Sequence, residues 1–223
     1  YVDSFCKDVQ KVLEFIKDRK VKILDFGTGS GIFVSALYYS DNINYKEFFA
    51  IDAKDTSTES SVFDDRDRLW NELNKNLIKV DFQHYDSHEI PFEDDTFDII
   101  IAYAVIEHVG EKNLKSILKE LKRALKPGGL LFIFKTPRKL APTEYIAGLL
   151  RIGNHEVLYS DQEIKNIFSE HFAIINYWKS DMMFEFPGWF TNLFYPVFKF
   201  LDLILYFSPA RIFAHHNNFI LKK

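Results

Sequence analysis

The chain alternates between two kinds of hydrophobic pattern. Short apolar runs, rich in β-branched and aromatic side chains, are separated by segments in which apolar residues recur every three or four positions. The short runs predict buried strands at 21–25, 48–51, 78–84, 97–103, 130–134, 171–178 and 211–221. The other segments predict helices at 4–18, 32–39, 64–76, 111–125 and 161–168. Strands and helices that alternate in this way predict a doubly wound, mostly parallel α/β sheet.

Local signals refine several of these boundaries. Ser160 precedes the helix predicted at 161–168 and fits the N-cap position. Pro127, Gly128 and Gly129 follow another predicted helix and are interpreted as a helix stop and a turn. Asp98, at the start of a predicted strand, is interpreted as a structural carboxylate that accepts backbone amides.

One predicted strand ends in a glycine-rich turn, where no side chain would obstruct a ligand. Gly27, Gly29 and Gly31 follow the strand 21–25, and an apolar helix begins directly after them. The dinucleotide fingerprint places its third glycine five residues after its first, whereas Gly31 comes only four residues after Gly27. Asp25 precedes the turn and would repel a pyrophosphate but attract an ammonium group. A ligand with an amino-acid moiety, a ribose and no phosphate fits better, and S-adenosylmethionine has that composition.

Further polar residues fall where other predicted strands end, which is where ligands bind in doubly wound sheets. Asp52 ends the second strand, and a carboxylate there can accept hydrogen bonds from both hydroxyls of a ribose. Asp86, with Ser87, ends the third strand and is placed to receive the exocyclic amine of an adenine. The fourth strand ends in Ala104–His108, which we expect to face the glycine turn.

In this order, the motifs resemble those of class I S-adenosylmethionine-dependent methyltransferases of the small-molecule and lipid type, a group that includes the ubiquinone-biosynthesis methyltransferases. The resemblance lies between about residues 21 and 135, in the stretches 23–31, 52, 86–98, 106–108 and 121–129. The chain departs from the family at Phe26, where a smaller residue is common, and in the long polar loop 53–63. The resemblance implies a seven-stranded Rossmann-like sheet whose last strand is antiparallel and inserted between its neighbours. It also implies methyl transfer from S-adenosylmethionine, without a metal.

The turn, the strand ends and the resemblance together define a set of expected contacts and candidate bases. The expected cofactor-binding residues are Asp25, Gly27, Thr28, Gly29, Gly31, Asp52, Ala53, Asp86, Ser87 and Ala104. An imidazole can accept a proton from an acceptor hydroxyl at neutral pH. The candidate bases are His108, beside the cofactor loop, and His155, in a segment that resembles the acceptor-side loop of relatives. His215 and His216, in the last predicted strand, are interpreted as structural. No cluster of His or Cys has the spacing of metal ligands.

The last third of the chain is crowded with aromatic residues and contains many of its 23 phenylalanines. Pro196, Lys199 and Asp202 interrupt the apolar segment 182–207, which therefore does not match a transmembrane helix. Three alternatives remain open for this segment: peripheral contact with a membrane through 184–207, a cap over a site for an apolar acceptor, or a core or oligomer contact. We expect a helical lid, built from about 137–168 and 180–210, over a cofactor-binding core at 20–136.

Composition adds limits on the partners and the compartment. The net charge of −4 gives no electrostatic footprint for nucleic acid. Cys6 is the single cysteine, which excludes a disulfide framework within the chain and predicts a reducing, cytoplasmic compartment, with peripheral membrane contact left open. The chain begins with Tyr1, so we expect residues before it in the full protein.

The sequence therefore predicts one methyltransferase domain over residues 1–223, acting on an oxygen of a small or lipid-linked acceptor. Nitrogen and carbon acceptors stay open, because no acceptor motif is legible, and so does the oligomeric state. Two other functions are alternatives: a protein that binds the cofactor without turnover, and a nicotinamide oxidoreductase. The short glycine interval disfavours the oxidoreductase.

Overall fold

The computed structural model describes residues 2–17, 19–40, 46–53, 80–85, 89–142, 144–145, 157–181 and 188–223. The strands within these residues are β1 (Val21–Phe26), β2 (Lys46–Ala53), β3 (Val80–Tyr85), β4 (Phe97–Tyr103), β5 (Leu125–Pro137), β6 (Ala173–Ser180) and β7 (His216–Lys222). They form one seven-stranded sheet in the order β3-β2-β1-β4-β5-β7-β6. Strand β7 runs antiparallel to both of its neighbours, and the other pairs are parallel. The predicted fold class and the inserted antiparallel strand are confirmed.

Helices cover both faces of the sheet. They are α1 (Val2–Ile16), α2 (Ile32–Ser40), α3 (Glu111–Ala124) and α4 (Asp161–Ser169), and a further helix, α5 (Gly188–Tyr206), lies between β6 and β7 in the chain. Successive strand residues point to opposite faces, so Ile23 packs in the core beneath α1 and α2, whereas Leu24 packs in the core beneath α3 and α4. Both faces of the central strands are therefore buried, which explains their nearly continuous apolar sequences.

Two local predictions are confirmed. The Ser160 hydroxyl accepts from the Glu163 backbone N–H, and the Glu163 carboxylate accepts from the Ser160 N–H, which completes a capping box at the start of α4. Asp98 Oδ2 accepts from the Lys22 backbone N–H at 2.9 Å and from Lys126 Nζ at 2.8 Å. Asp98 is thus a structural carboxylate at the start of β4.

Two predicted boundaries are wrong. Helix α3 ends at Ala124, and Pro127–Gly129 lie inside the first part of β5, where the pairing with β4 shifts between Phe97 and Ile99. These residues form an irregularity within the strand, with Gly128 at φ +78°, instead of a separate turn. The last strand does not begin at 211, because a 3₁₀ helix occupies Pro209–Phe213. The Ser208 hydroxyl caps this helix, and its proline fits the first helical position.

Several predictions fall partly or wholly outside the described residues. The predicted helix 64–76 lies outside them, as does the loop 53–63 apart from Ala53. The helical lid stays a prediction. In the part of the chain that the structure describes, no helix combines the length and hydropathy needed to cross a bilayer.

Candidate cofactor and acceptor site

The turn after β1 is built from backbone groups. Gly27, Gly29 and Gly31 have φ values of +68°, +53° and +74°, a region that favours glycine. The N–H groups of Gly27 and Thr28 both donate to the Ile51 carbonyl, at 2.8 and 3.1 Å, and so tie the turn to β2. A Cβ at Gly27 would lie 2.6 Å from Cγ2 of Val105, whereas a Cβ at Gly29 would meet nothing within 4 Å. Packing therefore requires the first glycine, and the second leaves space for a ligand to approach the backbone.

Asp52, at the end of β2, holds this turn. Its Oδ2 accepts from the Gly29 N–H at 2.7 Å, and its Oδ1 accepts from the Ala53 N–H at 2.8 Å. A carboxylate offers about four acceptor positions. Carboxylate oxygens at this strand end are acceptors of the type that suits the hydroxyl groups of a ribose.

Asp25 is a buried carboxylate beneath the turn. It accepts a hydrogen bond from the Thr28 hydroxyl at 2.6 Å. Burial, with the charge of Asp52, raises the pKa of Asp25 to about 7, although the Thr28 hydrogen bond opposes the shift. A nearby cation would favour the charged carboxylate. The arrangement fits a ligand that carries an ammonium group.

The segment after β4 borders the glycine turn. Ala104 has φ +55°, and its N–H donates to the Phe134 carbonyl at 3.0 Å. The Val105 side chain packs against Gly27, and a 3₁₀ turn follows over Ile106–His108. The side chain of His108 is exposed on this turn.

Glu107, in the same turn, is a buried acid that the sequence analysis did not identify as a site residue. Only 4% of Glu107 is exposed, and its Oε2 has no hydrogen-bond partner. Burial raises the pKa of Glu107 to about 8, and the charge of Glu144 also raises it. Its carboxyl group is therefore mostly protonated at neutral pH and can donate a hydrogen bond. The signal in the sequence that could have identified Glu107 is its position shortly after the predicted buried strand 97–103.

Two histidine–carboxylate pairs lie on the other half of the same edge. Because β7 is antiparallel, the residues at its start meet the carboxyl ends of β5 and β6. His215 Nε2 lies 2.5 Å from Glu144 Oε1, and His216 Nδ1 lies 2.8 Å from Asp181 Oδ2. The two imidazole rings stack with their centroids 3.9 Å apart.

The second of these pairs is anchored inside the protein. Burial lowers the pKa of His216 to about 4, even though the bond to Asp181 opposes this shift. Burial also acts against ionisation of Asp181, but the bond to His216 and the charge of Lys135 hold its pKa well below its usual range. Lys135 Nζ lies 2.7 Å from Asp181 Oδ2 and also contacts Ser4 and Asp8 on α1. Lys135 thus links Asp181, and through it His216, to α1.

The structure brings together most of the predicted cofactor residues. The glycine turn contains Gly27, Gly29 and Gly31, and it lies against the end of β2, which contains Asp52 and Ala53. Beside the turn, the Thr28 hydroxyl donates to the Asp25 carboxylate. Asp86, Ser87 and His155 lie outside the described residues. Their roles, and the cofactor contacts of the other residues, stay predictions.

The fold and this edge define an α/β protein with a candidate ligand site at the carboxyl ends of β1, β2 and β4. Residues 24–133 match the family model described as a methyltransferase domain. The resemblance to class I S-adenosylmethionine-dependent methyltransferases is thereby confirmed, and S-adenosylmethionine is the cofactor of such a domain.

Known proteins extend this finding. A ubiquinone biosynthesis O-methyltransferase of Bartonella tribocorum is 25% identical over 160 residues, which is 68% of this chain and 59% of that protein. A sterol 4-C-methyltransferase of Caenorhabditis elegans is 43% identical over 49 residues, 22% of this chain and 14% of that protein. A solved methyltransferase of Aquifex aeolicus shares the fold, with a TM-score of 0.55 and 22% identity over 77% of this chain and 83% of that one. The chain spans less than two thirds of the length of both curated relatives.

Proposed function

We propose that this chain transfers the methyl group of S-adenosylmethionine to an oxygen atom of a small or lipid-linked acceptor. The observation that carries the proposal is the Asp52 carboxylate, bonded to the Gly29 N–H beside the open approach to the turn. When bound, S-adenosylmethionine supplies a methyl group that is already activated by its sulfonium. The protein then has to position the reactants, exclude water and manage the acceptor's proton.

Named residues take defined parts in this proposal. Asp52 accepts from the ribose hydroxyls, Asp25 balances the ammonium group, and the backbone from Gly27 to Gly31 leaves room for the ligand. Asp86 and Ser87 contact the adenine. Aromatic packing of Phe5 on Phe33 and Tyr103, with ring centroids 5.5 and 5.6 Å apart, closes α1 over the end of β4 and helps to exclude water.

The names of the relatives bear on the class of acceptor. One acts in ubiquinone biosynthesis and the other on a sterol, and the names specify an oxygen and a carbon acceptor respectively. We call the carboxyl ends of β1, β2 and β4 the cofactor half of this edge, and the ends of β5 and β6 with the start of β7 the acceptor half. An oxygen acceptor must lose a proton, and the acceptor half holds histidine–carboxylate pairs. These groups suit a hydroxyl acceptor, and the names of the relatives support an apolar acceptor of the quinone or sterol type.

Helix α5 supports a lipid-linked acceptor and a peripheral membrane contact. Apolar side chains along it are strongly exposed, with Phe200 at 62% and Leu203 at 56%, and Phe207 just beyond it at 80%. Ile212 and Phe213 in the following 3₁₀ helix extend this apolar surface. A helix that exposes many apolar side chains is typical of a segment that lies in the membrane interface.

Transfer of a labelled methyl group tests the activity. We expect the protein to bind S-adenosylhomocysteine in a calorimetric titration and to move label from S-adenosylmethionine into a short-chain hydroquinone. Binding without label transfer would instead support the alternative of a cofactor-binding protein without turnover. Binding of NADH in place of S-adenosylhomocysteine would support the oxidoreductase.

Flotation with liposomes tests the membrane contact. We expect the protein to float with anionic vesicles and to lose most of this binding when Phe200 and Phe207 are both changed to Ser. The control is Ile175→Ser, which removes an exposed apolar side chain from β6. Equal flotation of the double variant and the control, or no flotation of the unmodified protein, would contradict the contact.

A further inference from the structure

The acceptor half of the edge contains a histidine that the cofactor contacts leave unused. His215 and Glu144 are 71 positions apart in sequence, yet their Nε2 and Oε1 atoms meet at 2.5 Å. Their side chains are only 18% and 8% exposed. A carboxylate in this position fixes the tautomer of a histidine and stabilises its imidazolium form. With Nε2 directed at Glu144, Nδ1 is the nitrogen that can accept a proton.

We propose that His215, oriented by Glu144, is the base that takes the proton from the acceptor's hydroxyl group. This assignment rests on the proposed function. As the acceptor oxygen bonds to the methyl carbon, the carbon–sulfur bond breaks and its electron pair stays on sulfur. The hydroxyl proton passes to Nδ1 of His215, and the imidazolium is neutralised later by release of that proton to water.

The position of His215 in the sheet matches this role. Tyr103 of β4 pairs with Phe134 of β5, and Pro137 of β5 pairs with His216 of β7. Adjacent strands lie about 4.8 Å apart, and Pro137 comes three residues after Phe134 along β5, so His216 is about 14 Å from Tyr103 at the end of β4. An elongated acceptor can extend over that interval, from the cofactor residues to His215.

Glu107 is a second, independent sign of a ligand between the two halves. It is 96% buried at the end of β4, its Oε2 has no hydrogen-bond partner, and it lies close enough to Glu144 for their charges to interact. Buried polar atoms are rarely left without a partner. A protonated Glu107 would donate a hydrogen bond to a polar group of the acceptor.

The neighbouring His216 is a poorer base for this proton. Its Nδ1 is already bonded to Asp181, which also bonds Lys135, and burial lowers the pKa of His216 to about 4. A neutral His216 also allows the stacked His215 to become charged without a like charge beside it. Among the described residues, the titratable or charged groups that contact His215 or are linked to it through its partners are Glu107, Glu144, His216, Asp181, Lys135, Asp8 and Arg138.

Label transfer to the hydroquinone, measured across pH, tests the assignment. We expect His215→Asn to lower kcat by about 10²–10⁴-fold while the affinity for S-adenosylhomocysteine changes less than twofold. The acidic limb of the pH profile of kcat should disappear. His171→Asn is the matched control, because His171 precedes β6 at the opposite edge of the sheet, and it should leave kcat and the profile unchanged.

A second variant covers the case in which His215→Asn does not fold. Glu144→Gln should lower kcat and move the acidic limb to lower pH, because the imidazolium loses its carboxylate partner. An unchanged kcat and limb in either folded variant would overturn the base assignment and leave the methyltransferase proposal intact. Absence of label transfer by the unmodified protein would overturn both.

Discussion

The two halves of the sheet edge are built by different means. In the cofactor half, a short run of chain shapes the turn, and backbone N–H groups of Gly27, Thr28 and Gly29 make most of its bonds. In the acceptor half, side chains from distant parts of the sequence meet, as in the pairs Glu144–His215 and Lys135–Asp181. The hydrogen bonds of the cofactor half therefore join segments that are close in sequence, whereas those of the acceptor half join distant segments that only the fold brings together.

This difference changes what each half can tolerate. A backbone-built turn depends on a few glycine positions and on the strand that follows it. A site built from buried charges depends on every partner, because a charge left alone in the interior is costly. Substitutions can separate these two kinds of dependence.

Removal of a buried charge from the acceptor half should have the largest effect. The Arg138 guanidinium is 1% exposed, bonds both oxygens of Asp161 at 2.6 and 2.8 Å, and donates to the carbonyls of Ile212 and Ala214 ahead of β7. We expect Arg138→Met to lower the free energy of unfolding by about 3–5 kcal/mol, because the carbonyls of Ile212 and Ala214 lose their donor and Asp161 keeps Lys179 and Asn217 but loses its bidentate partner. Urea denaturation followed by circular dichroism measures this change.

An exposed ion pair provides the control for Arg138. Lys115 and Glu170 meet at 2.8 Å, but both side chains are about half exposed. Lys115→Ala should change the free energy of unfolding by less than about 1 kcal/mol. Equal losses in the two variants would show that the acceptor half does not depend on buried charge.

A methyl group added to the glycine turn should have the next largest effect. Gly27→Ala places a Cβ 2.6 Å from Val105 at φ +68°, so overpacking adds to backbone strain. We expect a loss of about 2–4 kcal/mol in the free energy of unfolding. The matched variant Gly29→Ala has a similar φ but open space around the Cβ. It should lose only about 1–2 kcal/mol of stability, from strain, and weaken S-adenosylhomocysteine binding instead. A similar loss of stability in both variants would contradict the packing role of Gly27.

The contrast between the halves also explains what the sequence could predict. The glycine turn, Asp25, Asp52 and the capping box at Ser160 follow from spacing within short segments, so their geometry is largely local. The pairing of His215 with Glu144 requires the order of β5, β7 and β6, which no local pattern specifies. His215 and His216 were interpreted as structural from their place in the last predicted strand. Glu107 was missed because its burial depends on packing from distant elements.

Loss of the Asp52 carboxylate should affect ligand affinity more than stability. We expect Asp52→Ala to weaken S-adenosylhomocysteine binding by about 1.5–3 kcal/mol, because charged hydrogen bonds to the ribose and the support of Gly29 are lost together. Calorimetric titration gives the affinity. The control is Glu47→Ala on the same strand, where the exposed contact with Lys22 should not affect the ligand. Unchanged affinity in Asp52→Ala would contradict the ribose contact.

The effect most specific to the cofactor half is a pH dependence of ligand affinity from Asp25. In the free protein the pKa of Asp25 is about 7, so the group is largely protonated at pH 5–6. Binding of an ammonium group favours the carboxylate, and the proton must leave. Affinity for S-adenosylhomocysteine should therefore rise by up to about tenfold per pH unit between pH 5 and 7, and level off above that range.

Calorimetry in buffers of different ionisation enthalpy should show release of about one proton on binding at pH 5.5 and almost none at pH 8. Asp25→Asn keeps an acceptor for the Thr28 hydroxyl but cannot ionise, so it should bind more weakly at pH 8 and lose the pH dependence. The acceptor-half variant Glu144→Gln, which leaves Asp25 in place, should keep it. A pH dependence that persists in Asp25→Asn and disappears in Glu144→Gln would transfer the titrating group, and with it the ammonium contact, to the other half of the edge.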